Sequence, residues 1–155
     1  MDSRSSVKVS ICCITYIHKP YLRPCLEGFL MQKTTFPFEI LLHDDASTDG
    51  TTDIVREYAA KFPSQISTII QTDNQYSTKT RAIITTYMLP VARGEYIDLC
   101  ECDDYWTDPY KLQKQADLLD KDIHIALCVH PAVTIDWQAG KTVSKADLKS
   151  RIDAP

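Results

Sequence analysis

Three acidic residues, Glu101, Asp103 and Asp104, follow the strand-like run at residues 95–100. Two ionised carboxylates about 5 Å apart repel each other by about 3 kcal/mol at an effective dielectric of about 20, so a cluster held in a cleft favours a bound cation. Carboxylate oxygens suit hard ions such as Mg²⁺ and Mn²⁺, and protein-bound Mg²⁺ is usually shared with phosphate. The cluster therefore indicates either a metal site for a phosphorylated ligand or a solvated loop. These residues alone do not decide between the two interpretations.

A second acid pair, Asp44 and Asp45, ends the apolar run at residues 38–45 and begins the segment DDASTDGT. Asp, Ser, Thr and Gly are common in turns and caps, so Asp49 or Thr51 could cap a following helix. That explanation does not account for two acids at the end of an apolar strand. A carboxylate at this place can accept a hydrogen bond from a ring N–H such as that of uracil.

Strand-like and helix-like patterns alternate along the chain and must position these acids. Apolar, β-branched runs predict buried strands. The predicted strands cover residues 7–16, 38–45, 66–72 and 95–100, with one or two more within 123–137. Elsewhere apolar residues recur at helical spacing. The predicted helices cover residues 21–33, 51–63, 80–94 and 111–121.

Prolines and acids mark the starts of two predicted helices. Pro24 is expected in the first turn of the first helix, where its missing N–H does no harm. Asp108 and Pro109 are expected as the N-cap and the first residue of the last helix. Residues 141–155 are polar and are expected to form a surface segment or a tail.

This order of elements predicts the fold class. Strands that alternate with helices over short connections indicate a single Rossmann-like, three-layer α/β/α domain with a mostly parallel sheet. In such sheets, ligands bind outside the carboxyl ends of the strands. Both acid groups lie at predicted carboxyl ends, so we expect them to share one ligand site.

Composition and missing motifs exclude several classes. The net charge is −4 and the 17 Lys and Arg residues are scattered, which argues against a nucleic-acid partner. No apolar run approaches the ~20 residues of a membrane span, and the polar start MDSRSSVK is not a signal peptide. The first strand is followed by neither a dinucleotide-binding glycine motif nor a P-loop. It also lacks the acids of a receiver domain and the basic, glycine-rich loop of a nucleotidyltransferase.

Cysteine and histidine patterns favour structural roles. The six cysteines lack paired metal-ligand spacing and are interpreted as buried, reduced thiols of a cytoplasmic protein. The four scattered histidines are likewise interpreted as structural. For each of two further pairs of residues, the sequence is compatible with two roles. Lys79 and Arg81 could face a phosphate or be surface charges, and Tyr105 and Trp106 could pack over a sugar or anchor the loop.

Three segments in order carry a resemblance to a known family. They are VSICCITYIHKPYLRPCLEGFLMQ, EILLHDDASTDGTTDIV and GEYIDLCECDDYWTDPYKLQKQ, and together they resemble the family 2 glycosyltransferases with the A-type nucleotide-sugar fold. The resemblance runs from about Val7 to about His130. It implies a hexosyltransferase-type enzyme that moves a sugar from a nucleoside-diphosphate sugar, with a UDP-sugar favoured, to an acceptor hydroxyl. The reaction would be metal-dependent and inverting, and it would serve polysaccharide or glycoconjugate synthesis.

The resemblance also assigns residues at the base and ribose. Thr15 and Tyr16 would lie where the family holds these groups, and Asp45 together with Asp44 would accept hydrogen bonds from the base. The family usually has an Asn after the Tyr, and this chain has Ile17 instead.

At the diphosphate, Glu101-Cys102-Asp103 takes the place of the family's D-x-D motif, with Asp104 as an extra acid. Glu101 keeps the charge of the usual Asp on a longer arm. By this resemblance Glu101, Asp103 and Asp104 would hold Mg²⁺ or Mn²⁺. The other residues expected at the nucleotide are Lys79, Arg81, Cys102 and Asp103.

The family's organisation predicts three regions in this chain. We expect a flexible N-terminus at residues 1–6, the nucleotide-sugar-binding domain at 7–135, and a partial acceptor-side segment or tail at 136–155. The family's general base lies in an acceptor half beyond the donor half, and Asp136 falls too early to match it. We therefore expect a truncated fold, and we assign no catalytic general base in this chain. A non-catalytic nucleotide-sugar-binding or interaction module is the alternative, and apolar surface left uncovered would favour a homo-oligomer.

Overall fold

A computed structural model of the chain describes residues 7–78, 82–136 and 139–145. The chain divides into two units, residues 1–116 and residues 117–155. The first unit contains one sheet of parallel strands in the order β3-β2-β1-β4. The strands are β1 (Val9–Thr15), β2 (Phe38–Asp44), β3 (Ile66–Ile70) and β4 (Tyr96–Glu101). The predicted α/β class with a parallel sheet is therefore confirmed.

Three α-helices accompany these strands. They are α1 (Lys19–Leu30), α2 (Thr51–Lys61) and α3 (Lys111–Lys121). The apolar stripe of α1 is buried, as its spacing predicts, and so is that of α2. The buried apolar residues of these two stripes are Leu22, Cys25, Leu26, Phe29, Ile54, Val55 and Tyr58. No helix in the described part of the chain combines the length and apolar character needed to cross a membrane.

The start of α1 differs from the prediction. The helix begins at Lys19, because the His18 carbonyl accepts hydrogen bonds from the N–H groups of both Tyr21 and Leu22. Pro20 occupies the first turn, and Pro24 lies inside the helix rather than in its first turn. Pro24 has no N–H to donate to the carbonyl four residues earlier, so it interrupts the hydrogen bonding of the helix that it was expected to start.

The two faces of the sheet are covered differently. On one face, Ile11 and Cys13 belong to the main core together with residues of α1 and α2. On the other face, Cys12 packs in a smaller cluster with Leu41 and Met88. Met88 belongs to a segment that was predicted to be an α-helix over residues 80–94. Its described part instead forms a π-helical turn (Ile84–Met88) and a 3₁₀ turn (Leu89–Val91), consistent with its β-branched residues and proline.

A buried carboxylate aligns the amino-terminal end of the sheet. Glu39 on β2 accepts hydrogen bonds from Ser10 Oγ at 2.7 Å, Arg93 N at 2.7 Å and Arg93 Nε at 2.7 Å. Burial alone would raise the pKa of Glu39, but these hydrogen bonds from Ser10 and Arg93 hold it below the usual value. The Gly94 N–H in turn donates to Ser10 Oγ at 2.8 Å. The network therefore ties the entry of β4 to β1 and β2.

The second unit contains an antiparallel hairpin of β5 (Val133–Asp136) and β6 (Lys141–Lys145). Asp136 stabilises the turn, since Oδ1 accepts from Ala139 N at 2.9 Å and its carbonyl accepts from Gly140 N at 2.7 Å. The structure describes residues 123–136 of the predicted strand region 123–137. Among these, only residues 133–136 are assigned to a strand, and they do not extend the parallel sheet. The segment predicted as a polar tail begins with strand β6 rather than with irregular structure, because the turn before it lets β6 pair with β5. The remaining expectations, for residues 1–6 and 146–155, lie outside the described residues.

Candidate functional site

A cavity of about 780 Å³ opens at the carboxyl ends of β1, β2 and β4. This volume is within the usual range for small-molecule sites. Its lining includes the predicted site residues Tyr16, Asp45 and Glu101. The other lining residues are Ile14, His18, Asn74, Tyr76, Ser77, Ala82, Ile83, Ile84 and Thr85. The structure thus brings one residue from each acid group to the same cavity.

Asp45 organises the loop that walls this cavity. Its side chain is almost fully buried, and its carboxylate accepts hydrogen bonds from Gln75 N at 2.7 Å and Tyr76 N at 3.0 Å. Its own N–H donates to the Thr15 carbonyl at 3.0 Å. Each carboxylate oxygen has a second lone pair, so Asp45 can still accept from a ligand.

The carboxylate of Asp44 faces away from the cavity. It accepts hydrogen bonds from Ser47 N at 3.2 Å and from the Thr52 hydroxyl, and the residue is fully buried. Asp44 was predicted at the nucleotide together with Asp45. In the structure, the Asp44 side chain instead stabilises the turn after β2. Asp44 is the last residue of β2 and Asp45 follows the strand, and of the pair only Asp45 lines the cavity.

Gly50 occupies the N-cap position of α2 without a side-chain cap hydrogen bond, and Asp49 instead holds the turn just before the helix. Asp49 Oδ1 accepts from Thr51 N at 3.0 Å, and Oδ2 accepts from Lys19 N at 3.1 Å. Burial raises the pKa of Asp49, but the hydrogen bonds from Thr51 and Lys19 outweigh it and hold the pKa below the usual value. The turn of β2–α2 is thereby joined to the start of α1.

The loop after β1 has an unusual backbone. Ile17 has a φ of 55°, a left-handed conformation that is a strong outlier for a β-branched residue. Its N–H donates to Ser47 Oγ at 2.9 Å, and the next N–H, of His18, donates to Thr51 Oγ1 at 3.0 Å. These bonds hold the strained residue in place beside the exposed ring of Tyr16.

We expect Ile17→Asn to stabilise the fold by about 1 kcal/mol, because the left-handed region costs an ordinary residue about 1–2 kcal/mol and Asn tolerates it. The melting temperature should rise by about 2–4 °C, measured by circular dichroism. Ile17→Val keeps the β-branch and is the control, with no gain expected. An unchanged or lower melting temperature for the Asn variant would contradict the assignment of strain.

Thr15 and Cys102, both predicted at the nucleotide, have side chains in the interior. Thr15 is fully buried, and its hydroxyl has no hydrogen-bond partner among the described residues. Cys102 is also fully buried, with Sγ 2.9 Å from Cys13 Sγ, while its N–H donates to the Ile14 carbonyl at 3.1 Å. Neither side chain lines the cavity, so any contact with a ligand there would have to come from the backbone.

The acids after β4 lie at the protein surface. Glu101 ends β4 opposite Ile14 and lines the cavity, and Asp103 and Asp104 are exposed beyond it. The Asp104 N–H donates to the Glu101 carbonyl at 3.1 Å, which curls this segment into a turn. Within the described residues, these acids do not form a group whose ligand atoms all lie within 4.8 Å. Their oxygens fit a hard divalent ion by chemistry, and exposed side chains can rotate to meet one.

A buried tryptophan anchors the segment that follows the acids. The Trp106 ring lies 4.6 Å from the Phe29 ring, and Lys111 Nζ lies 3.7 Å from the Trp106 ring centroid. A Cβ on Gly28 would lie 2.9 Å from Trp106 N, so only glycine permits this approach of α1. Of the two alternatives left open, Trp106 is a loop anchor, whereas Tyr105 remains partly exposed.

Gln32 joins the end of α1 to the start of α3. Its Nε2 donates to the Asp108 carbonyl at 2.9 Å, and its Oε1 accepts from Leu112 N at 3.1 Å. Asp108 caps the turn at Tyr110, whose N–H it accepts at 2.9 Å. The assigned helix begins at Lys111, so Pro109 lies in this turn rather than at the first helical position.

Several cavity residues were not predicted at the site from the sequence, and one of them, His18, was interpreted as structural. His18, Asn74 and Tyr76 line the cavity, and the His18 Nδ1 atom is buried without a hydrogen-bond partner among the described residues. Their signal was positional, since they follow β1 and β3 at the ligand-binding edge of the sheet. Lys79 and Arg81, predicted at the phosphates, lie outside the described residues.

His43, in contrast, is a core residue beneath the acid pair. It is fully buried, its ring stacks on Tyr87 at 5.5 Å, and Gln71 Nε2 donates to its Nε2 at 3.2 Å. Burial lowers the pKa of His43, although the nearby Asp45 and Asp44 partly oppose this. A neutral, packed imidazole agrees with the structural role expected from the sequence.

The family assignment rests on comparison with known proteins. The family model described as Glycosyl transferase family 2 matches residues 10–152. The chain belongs to this family. The structure aligns with S. aureus TarS 1–349 in complex with UDP-GlcNAc at a TM-score of 0.61 and 27% identity, covering 74% of this chain and 32% of that one. It aligns with the mannosyltransferase PcManGT of Pyrobaculum calidifontis, in complex with GDP-Man and Mn²⁺, at a TM-score of 0.61 and 26% identity, covering 76% and 34%. The predicted A-type glycosyltransferase fold is confirmed.

Two curated relatives are similar to this chain in sequence. The uncharacterized protein Rv1520 of Mycobacterium tuberculosis is 43% identical over 146 residues, which is 94% of this chain and 41% of the relative. EpsE of Bacillus subtilis, a proposed glycosyltransferase, is 35% identical over 120 residues, which is 77% of this chain and 41% of the relative. The chain thus spans about two fifths of the length of these curated relatives.

Proposed function

We propose that this family 2 domain binds the donor of a sugar transfer from a nucleoside-diphosphate sugar to a hydroxyl of a saccharide or glycoconjugate. The observation that carries the proposal is the cavity at the carboxyl ends of β1, β2 and β4, where Asp45 and Glu101 meet. TarS and PcManGT, which align with this chain, bind UDP-GlcNAc and GDP-Man respectively.

The base and ribose would occupy the end of the cavity near Asp45 and Tyr16. Asp45 is fixed by two backbone N–H groups, so its free lone pairs are already oriented and can accept the ring N–H of uracil. Tyr16 is 43% exposed, so its ring offers a surface for stacking. Asn74 and Tyr76 would form the opposite wall. A UDP-sugar is the donor that we favour.

The diphosphate would lie toward Glu101, Asp103 and Asp104. These carboxylates would hold Mg²⁺ or Mn²⁺, which when bound offsets the charge that develops on the departing diphosphate. The PcManGT structure is a complex with GDP-Man and Mn²⁺, which supports use of such an ion here. Glu101 at the end of β4 would fix one side of the ion, and the exposed turn at 103–104 would supply the other acids.

The remaining parts of the proposal concern the whole reaction. We propose inversion at the transferred sugar and a role in polysaccharide or glycoconjugate synthesis, and we assign no general base among the described residues. All six cysteines are free, which supports a reducing compartment such as the cytoplasm.

Calorimetric titration of the folded protein with UDP and with GDP, each with and without Mn²⁺, tests the donor site. We expect UDP to bind, at least about tenfold more tightly with Mn²⁺ than without, a difference of about 1.4 kcal/mol. Uridine lacks the diphosphate and is the control, with no effect of Mn²⁺ expected. Binding of neither nucleotide would contradict the proposal, and binding without sugar transfer would support a nucleotide-sugar-binding module instead.

A further inference from the structure

Four of the six cysteines lie on one face of the parallel sheet, although the sequence scatters them. Cys13 on β1 and Cys100 on β4 are directly paired in register. Cys102 follows the end of β4 and belongs to the same core cluster as Cys13, so it lies on the same side of the sheet. Cys25 on α1 belongs to the core that covers this face. The fold thus collects thiols from two strands, a helix and the acid segment.

Three of these sulfurs form a compact, dry group. The Sγ atoms of Cys13, Cys25 and Cys102 all lie within 4.8 Å of one another, and each residue is fully buried. Cys13 Sγ lies 2.9 Å from Cys102 Sγ and 3.9 Å from Cys25 Sγ. In the described part of the chain, this is the one group of three or more possible metal ligands with such mutual distances.

We propose that Cys13, Cys25 and Cys102 form a buried binding site for a thiophilic metal ion, with Zn²⁺ as the ion that fits best. Thiolates arranged tetrahedrally around zinc at about 2.3 Å place their sulfurs about 3.8 Å apart. The 3.9 Å separation of the Cys13 and Cys25 sulfurs already matches this spacing. The Cys102 sulfur would need to move outward by about 1 Å, on the same geometry.

A fourth ligand is available beside the group. The Cys100 thiol donates to the Glu101 carbonyl at 3.4 Å, and the Cys25 Sγ lies 3.8 Å from the same carbonyl oxygen. Cys100 lies outside the group of three, and its side chain would have to rotate toward them to complete a four-thiolate site. Four-coordinate thiolate sites are the usual form of structural zinc.

This site would support the acid segment from the interior. Cys102 lies between Glu101 and Asp103 in sequence, and its side chain points into the core while Glu101 lines the cavity. An ion bound to Cys102 would hold the backbone from which both acids project. The two sites differ in ligand chemistry, because thiolates select soft ions whereas the carboxylates select Mg²⁺ or Mn²⁺.

Titration of the reduced, metal-free protein with Co²⁺ tests the site, since thiolate ligands give a near-ultraviolet charge-transfer band that oxygen ligands do not. We expect the band to saturate at one equivalent and to disappear when one equivalent of Zn²⁺ displaces the cobalt. Cys25→Ser preserves size but removes a ligand, and it should lose the band. Cys128→Ser, in the second unit, is the matched control and should retain it.

Asp103→Asn separates this inference from the proposed function. It should keep the cobalt band while losing Mn²⁺-dependent binding of UDP. Because Cys25→Ser could fail to fold, native mass spectrometry of the wild-type protein with Zn²⁺ provides a second measurement, with one retained ion expected. A folded wild-type protein that shows neither the band nor a retained ion would overturn the proposal, as would a band unchanged in a folded Cys25→Ser variant.

Discussion

Asp103→Asn is expected to weaken Mn²⁺-dependent binding of UDP by about 100-fold or more, since loss of even a second-shell partner costs about 10–100-fold in metal affinity. The substitution removes one negative charge from the group that would hold the ion. Asp103 is exposed, so the free energy of unfolding should change by no more than about 0.5 kcal/mol. Calorimetric titration with UDP and Mn²⁺ measures the first effect, and urea unfolding measures the second.

Asp53→Asn is the matched control for this experiment. Asp53 is exposed on α2, it lies 4.0 Å from Arg56, and it does not line the cavity. The Asp53→Asn substitution removes one negative charge from the first unit, as Asp103→Asn does, but away from the cavity. UDP binding should therefore be unchanged. If the folded Asp103→Asn variant bound UDP and Mn²⁺ like the wild-type protein, the acids after β4 would not be ligands of the ion.

Gly94→Ala is expected to destabilise the first unit by about 3–5 kcal/mol, since overpacking costs about 1–3 kcal/mol and loss of a hydrogen bond to a charged group about 1.5–3 kcal/mol. The added Cβ would lie 2.3 Å from Ser10 N and 2.8 Å from Ser10 Oγ. Backbone atoms must therefore move, and the hydrogen bond from Ser10 to the buried Glu39 is lost with them. A lower urea midpoint, followed by circular dichroism, measures the effect.

Gly140→Ala distinguishes this steric effect from a general cost of adding a methyl group. A Cβ on Gly140 would meet no atom within 4 Å, although its φ of 62° is left-handed. The expected cost is therefore that of the backbone conformation alone, about 1–2 kcal/mol. Equal urea midpoints for Gly94→Ala and the wild-type protein would show that the approach of residue 94 to β1 does not stabilise the sheet.

Local patterns were sufficient to predict the main elements of the fold. The stripes of α1 and α2 and the four strands of the sheet are properties of short segments, because side chains repeat every 3.6 residues on a helix and every two on a strand. The predicted burial on both faces is confirmed for β1 and β2 but was wrong for β4, where Ile97 and Leu99 are exposed on one face. Boundaries were less well predicted. The His18 carbonyl extends α1 to Lys19, and the turn before Lys141 creates a strand that its polar composition does not suggest.

Chain position explains which predicted site residues come together, while their roles toward a ligand stay predictions. Tyr16, Asp45 and Glu101 were expected at the carboxyl ends of strands and do line one cavity. The directions of Asp44 and Cys102 were not predicted. They depend on which partner each side chain meets, the turn after β2 for one and the thiol of Cys13 for the other.

The sequence by itself determined the family, the alternation of strands and helices, and the places where acids follow strands, because each is written in contiguous residues. Only the tertiary structure decided which of these residues meet. The cavity joins residues from the ends of three strands, Glu39 joins Ser10 to Arg93, and the thiol group joins Cys13 to Cys102 across 89 positions. Such contacts depend on strand order and register, which short-range periodicity does not contain.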